Sequence, residues 1–219
     1  MNDWFPLWLS LRVASLATLI ASTVGIIFGY VLAKSSFRGR GLLEAILTIP
    51  IVLPPTVLGY YLLTTLGVNS PIGRAWESIF GSPLVFTPTA AVVAASVSAL
   101  PFVVRTSRAA IEDVDSRYES VARVAGYPEW KVAFLVTLPV ARRGLLAGVA
   151  LGFARALGDF GATVMIAGNI PGRTQTLPIS VYDALQSGND STARTGSLVL
   201  AGIAIVVLLA VTQLSARRI

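Results

Sequence analysis

YESVARVAGYPEWKVAFLVTLP, residues 118–139, is a charged, amphipathic insert in a chain that is otherwise nearly all apolar. Gly126 divides it in two. Upstream, Tyr118, Val121, Ala122 and Ala125 fall at i, i+3, i+4 and i+7, with Glu119, Ser120 and Arg123 on the other faces. That is the period of a short amphipathic helix. Gly126 predicts its stop, and Pro128 with Glu129 suits the first turn of a second helix. The second helix carries Trp130, Val132, Ala133, Phe134 and Val136, and Leu138-Pro139 is expected to end it. A helix–glycine–helix this short buries too little to stand alone, so it needs a partner surface, either the rest of the chain or another protein. A hairpin resting on a membrane is the plainer alternative.

The rest of the chain says what solvent surrounds that insert. Of 219 residues, 54% are hydrophobic and only 13% are charged, with a mean hydropathy of +0.74. A soluble domain carries about 25% charge. Too little polar material remains for a wet surface, so lipid must be the solvent for much of the molecule. There is no cysteine and no histidine, which removes disulfides, thiolate chemistry and the commonest zinc ligands.

A membrane crossing needs roughly 20 mostly apolar residues. Segments 9–33, 42–66, 86–104, 144–167 and 197–214 qualify, and their backbones must be helical because unpaired amides in lipid are too costly. The first has no basic residues before its apolar run and reads as a retained span, not a cleaved signal. Lys34, Arg38, Arg40, Arg105, Arg108, Arg117, Arg123, Lys131, Arg142, Arg143, Arg217 and Arg218 fall on one set of connections, against Arg74, Arg173 and Arg194 on the other. By the positive-inside rule the N-terminus faces outward, the C-terminus and the loop at about 105–143 lie in the cytoplasm. The net charge of +6 is thereby accounted for without nucleic acid.

The second span contains Pro50, Pro54 and Pro55 in TIPIVLPPTVLGYYLL, residues 48–63. Proline removes an amide donor and clashes with the preceding turn, so this helix must kink or open. Irregular backbone at depth survives only inside protein or beside water. Pro54 and Pro55 are therefore candidates for lining a pathway or gate, with ordinary curvature as the bland alternative.

The fourth span, GLLAGVALGFARALGDFGATVMIAG (residues 144–168), repeats Gly144, Gly148 and Gly152 at the spacing that lets two helices approach closely. At 100° per residue, Arg155, Asp159 and Ala162 share a face. Arg155 and Asp159 are candidates for the pathway, because ionisable groups inside a membrane are functional by default. The competing reading is a structural i,i+4 ion pair.

The insert resembles the coupling loop of permease subunits of ATP-binding-cassette importers, in which a glutamate and two alanines precede a glycine and an aliphatic residue and Leu-Pro follow. Ala122, Gly126, Val136, Leu138 and Pro139 match in register; Val121 replaces one alanine, and Glu119 stands one position early. The resemblance implies that Glu119, Ala122, Gly126, Val136, Leu138 and Pro139 couple the chain to a cytoplasmic ATPase. The chain has no G-x-x-x-x-G-K-[ST] phosphate loop of its own, so it is expected to be no enzyme and to bind no cofactor, with ATP and Mg used by that partner.

A second resemblance is to bacterial molybdate-importer permeases. It is carried by FARALGDFGATVMIAGNIPGRTQTLPISVYDAL (residues 153–185), IPIVLPPTVLGYYLL (49–63) and KSSFRGRG (34–41). Sulfate/thiosulfate permeases are similar too, but usually differ in the segment TQTLPISVY. This likeness implies a fold and a set of partners. The fold is the all-α membrane protein of the type I importer permeases, about five transmembrane helices and a cytoplasmic helix–Gly–helix loop in one domain, residues 1–219. The partners are a second permease copy, the ATPase and an extracytoplasmic molybdate-binding protein, in the bacterial inner membrane. Tungstate, nearly equal in size and charge, is not separable from molybdate. A membrane enzyme would need convergent titratable groups beyond Arg155 and Asp159; a passive channel would need no ATPase-docking loop.

Overall fold

A computed structural model describes residues 4–216. Helix α1 (Phe5–Lys34) starts with Pro6 in its first turn and stops where Ser35 turns extended, with Lys34 against its negative end. Among the described residues, four helices are long and apolar enough to cross a membrane, or five if one bent pair counts as a single span. That pair is α2 (Arg40–Val52) and α3 (Pro55–Leu66), whose axes differ by 115°. The cause is local. Leu53 and Pro54 each precede a proline, which pushes a residue out of the helical region, and both are extended here. The expected disruption of the second span is thus a full break, with Pro50 inside α2 and Pro55 opening α3.

A short amphipathic α4 (Pro71–Phe80) leads to α5 (Pro88–Glu112), which Thr87 caps by accepting from the Ala90 N–H. Helix α5 is the hub. Its Ala90, Ala91, Ala94, Ala95, Ala99 and Val103 are completely buried with Ala14, Ala17 and Ala21 of α1. Gly25 and Gly29 bring α1 against Val103 and Ser107 so closely that a Cβ at either position would sit 2.8 Å from those side chains.

After α5 come the short α6 (Ser116–Val124) and α7 (Glu129–Val132), a π-helical segment (Ala133–Thr137) and α8 (Leu138–Leu157). The expectation that Leu138-Pro139 ends a helix is corrected: the chain runs helically from Glu129 to Leu157. Pro139 stands in the first turn of α8, and in the wider register just before it the Leu138 N–H reaches Ala133 O. A π segment lets the helix pass a residue that has no N–H to give. The stripe Gly144, Gly148 and Gly152 faces Ala110, Thr106 and Val103 of α5, so the small-residue spacing does serve close approach, within one chain.

The fourth span is not one helix either. It breaks at Gly158, and α9 (Gly161–Ala167) continues beyond. The chain closes with α10 (Leu177–Gln186) and α11 (Asp190–Ala216). Between α9 and α10, Gln175 donates to Asn169 Oδ1 at 2.8 Å and to Asp183 Oδ2 at 3.3 Å, and the Leu177 N–H donates to Ser10 Oγ of α1 at 2.7 Å. Arg217 and Arg218, counted among the inner charges, lie outside the described residues.

The α5–α8 contact leaves no room at Gly152, where a Cβ would meet Val103 Cγ2 at 2.8 Å. Gly152→Leu is expected to cost about 1–3 kcal/mol by overpacking and to lower the unfolding temperature in detergent. Gly202→Leu on α11, where a Cβ meets nothing within 4 Å, should leave it unchanged; equal effects at both positions would contradict the packing argument.

Candidate functional site

Two sites emerge, one at each end of the run from Glu129 to Leu157. At the first, Asp115 caps α6 by accepting from the Arg117 N–H at 2.9 Å. The helix ends in a Schellman turn, in which the Gly126 N–H reaches Arg123 O at 2.9 Å and the Tyr127 N–H reaches Ala122 O at 3.1 Å. Gly126 has φ +82°. This left-handed backbone is what glycine adopts without steric penalty.

The amphipathic reading of α6 is corrected by its burial. Glu119, expected on an outer face, is buried beside Ala122, while Tyr118, Val121 and Val124 are exposed. The reason is electrostatic. Glu119 Oε1 lies 2.8 Å from Lys34 Nζ at the end of α1 and accepts from Thr137 Oγ1 at 2.6 Å. Arg123 stands 3.8 Å from the other Glu119 oxygen and grips Glu129 through two contacts of 2.7 and 3.1 Å. The chain Lys34–Glu119–Arg123–Glu129 thus ties α1, α6 and the start of the second helix together across Gly126.

With Glu119 turned inward, apolar side chains turn out. Tyr118, Val121, Val124, Tyr127, Trp130 and Phe134 are all exposed, and Lys131 lies over the Tyr127 and Trp130 rings at 5.9 and 5.4 Å. Of the remaining coupling candidates, Val136 and Leu138 are half-buried and Pro139 is exposed. Leu138 packs toward Ile111, Val114, Ala141 and Leu145.

The second site lies where the two helix breaks meet. A Cβ on Gly161 would sit 2.8 Å from Pro55, so α9 starts directly against the start of α3. Asp159 occupies the break, off the α8 helix on which it was expected, and still pairs with Arg155 at 3.0 Å from Nη2 to Oδ1. Its Oδ1 also accepts from Ser98 Oγ of α5 at 3.0 Å. Its Oδ2 accepts from Thr163 N at 3.1 Å and Thr163 Oγ1 at 2.7 Å. Asp159 is buried; the Arg155 side chain keeps a quarter of its surface exposed. Beside them opens a cavity of about 490 Å³, lined by Pro50, Leu53, Pro55, Thr56, Phe102 and Arg155 among others. Pro54, exposed at the head of α3, adjoins that lining.

The structure thus brings Pro55, Arg155 and Asp159, each a pathway candidate from the sequence, to one place. Sequence reasoning missed Lys34 and Thr137 at the first site and Ser98, Thr56 and Phe102 at the second. Only Thr163 left a local signal, four residues after Asp159 at the head of a helix, where a carboxylate satisfies free N–H groups.

Broken helices around a cavity that holds the Arg155–Asp159 ion pair, with an exposed apolar face outside the bundle, are features of a transport subunit. The chain matches the family of binding-protein-dependent transport system inner membrane components over residues 25–219, and it belongs to that family. Among its relatives, the molybdenum transport system permease protein ModB of Escherichia coli K12 is 40% identical over 208 residues, covering 94% of this chain and 91% of that protein. The putative molybdenum transport system permease YvgM of Bacillus subtilis is 41% identical over 208 residues, covering 95% and 92%. The sulfate transport system permease CysT of Escherichia coli K12 is more distant, 32% identical over 204 residues, covering 93% of this chain and 73% of that protein. In fold, the chain is similar to a methionine ABC transporter, MetNI, in an inward-facing conformation, with a TM-score of 0.73 at 16% identity over 98% of each chain. A bacterial importer of alginate gives a TM-score of 0.77 at 15% identity, covering 99% of this chain and 80% of that one. This is the all-helical fold of type I importer permeases.

Burial alone would raise the Glu119 carboxyl. Its hydrogen bonds from Lys34 and Thr137 and the charges of Lys34 and Arg123 outweigh that and hold it below its ordinary 4.5. A carboxyl depressed on folding stabilises the fold above the ordinary value, and that contribution is lost as the pH falls through the lower folded value. Hydrogen-exchange protection of the α6 amides, corrected for intrinsic rates, is therefore expected to fall as the pH drops below 4.5. Glu119→Gln should reproduce the loss at neutral pH by roughly tenfold, as breaking a partly screened buried pair implies. Unchanged protection in Glu119→Gln would exclude the anchoring role.

Proposed function

We propose that this chain is the permease subunit of an ATP-driven importer that moves molybdate or tungstate into the cytoplasm. The observation that carries the reading is the 40% identity to ModB over nearly the full length of both proteins. The sulfate permeases, at 32%, support a sulfate or thiosulfate importer as the second reading. ATP is hydrolysed on a separate cytoplasmic subunit, which sits on the exposed face of Tyr118, Val121, Val124, Tyr127 and Trp130. An extracytoplasmic binding protein delivers the oxyanion, and two copies of the permease enclose the pathway. The N-terminus faces outward, as the charge asymmetry of the loops requires.

Proteoliposomes holding the permease with its ATPase and binding protein decide between the readings. Labelled molybdate should accumulate with ATP, and tungstate in excess should compete while sulfate does not. Competition by sulfate at equal concentration would favour the second reading.

Coupling rests on Gly126. A Cβ there would meet nothing within 4 Å, so space is not the obstacle; the φ of +82° is. A β-branched residue resists that backbone by about 1–2 kcal/mol, which would unwind the turn and swing α6 away from Glu129. Gly126→Val is expected to insert and assemble yet to lose substrate-stimulated ATP hydrolysis. Normal stimulation in the reconstituted complex would refute this.

A further inference from the structure

The geometry points to Arg155 as a transit site for a tetrahedral oxyanion dianion, with Asp159 as the residue that positions it. The inference rests on the permease reading above and names the place where the substrate is held in passage.

Depth comes first. At about 1.5 Å per residue, Phe102 lies about 21 Å along α5, a helix about 37 Å long, so the cavity it lines sits near the middle of the bundle. The wall is made where α2 gives way to α3 and α8 to α9, and such broken backbone is tolerated at depth where it borders water or protein. A volume of about 490 Å³ corresponds to about sixteen waters at roughly 30 Å³ each. A tetrahedral oxyanion fits there with part of its hydration.

Charge comes second. Asp159 would repel an anion if its carboxylate were free, but both its oxygens are taken: Oδ1 by Arg155 and Ser98, Oδ2 by the Thr163 N–H and hydroxyl. Asp159 itself borders the cavity, but these four contacts occupy both of its oxygens. A guanidinium has five N–H donors, and the one contact to Asp159, from Nη2, leaves donors to reach a ligand. Arg155 is also the partner that remains part-exposed. A planar guanidinium can meet an edge of an oxyanion with two parallel hydrogen bonds. Thr56 adds a hydroxyl to the lining.

The pairing also sets the strength. An unpaired arginine at this depth would hold a dianion too tightly to release it, whereas conduction needs a site strong enough to enter and weak enough to leave. Paired with Asp159, the guanidinium is formally neutralised, so a dianion is held through its remaining N–H donors and not by a full net positive charge. The pair is then a tuned site and more than a stitch between helices.

The test uses the whole transporter in proteoliposomes. In Arg155→Ala with Asp159→Asn, both charges go together, so no lone buried charge is left to hinder assembly. The complex should form, and molybdate taken up per ATP hydrolysed should be lower by roughly tenfold or more. Uptake per ATP equal to wild type would overturn the inference and leave a structural pair. Should that variant not assemble, Thr56→Cys decides, because the chain has no other cysteine. Modification with an anionic sulfonatoethyl thiosulfonate places a negative charge beside Arg155 and should reduce uptake, relative to the unmodified variant, several-fold more than the cationic trimethylammonioethyl reagent of similar size. Equal effects of the two reagents, or none, would overturn the inference. The failure of the permease reading looks different: the wild-type complex itself would accumulate no molybdate.

Discussion

Inside a bilayer an apolar side chain gains almost nothing by leaving lipid for protein, so helices hold together only where their backbones come close enough for dense contact. In this molecule that condition is met along α5. Alanines of α1 and α5 bury one another, and Gly25, Gly29, Gly144, Gly148 and Gly152 bring α1 and α8 onto the same helix. Outside these close approaches the packing is sparser: α2 buries only Leu47, and its Leu42, Ile46, Ile49 and Val52 are exposed. The closely packed part of the molecule is α1, α5 and α8, and the other helices are arranged around it.

The breaks depend on that packing. A severed helix in lipid exposes amides that nothing satisfies, and each of the two breaks is supported by the other. Gly161 lets α9 begin against Pro55, and Asp159 turns a frayed end into a set of satisfied donors by reaching Ser98 on the hub. The prolines at 54 and 55 lower the demand further, because neither has an N–H to satisfy. Two defects that would be costly alone become one wall of a cavity when they coincide.

Much of this was legible because the signals were local. Hydropathy marks the spans, glycine spacing marks the α5–α8 contact, and three closely spaced prolines mark a break. The orientation of α6 was not legible. Its apolar period is genuine, yet Glu119 turns inward because Lys34, 85 residues away in sequence, waits at the end of α1; no window over α6 contains that partner. Leu138-Pro139 misled for a related reason. Proline ends a helix in the regular register, but a π segment immediately before it removes the conflict. Nor could periodicity place Asp159. A 100° wheel assumes a helix that Gly158 ends, and the pair with Arg155 forms across that end.

The continuity past Pro139 connects the two sites. Trp130, on the exposed face beside Gly126, and Arg155, at the cavity, belong to one helical run of about 40 Å at 1.5 Å per residue. Through the ion pairs of Glu119 and Arg123, the same run is held to the end of α1. The exposed face beside Gly126 and the cavity are therefore joined by a single covalent element packed along α5 on a stripe of glycines, with no intervening loop. The π segment is the one irregularity on that path, and Thr137 within it donates to Glu119. The segment that changes the helical register is thus bonded to the carboxylate that anchors α6 to α1, so the seat of α6 and the start of α8 share one buried group.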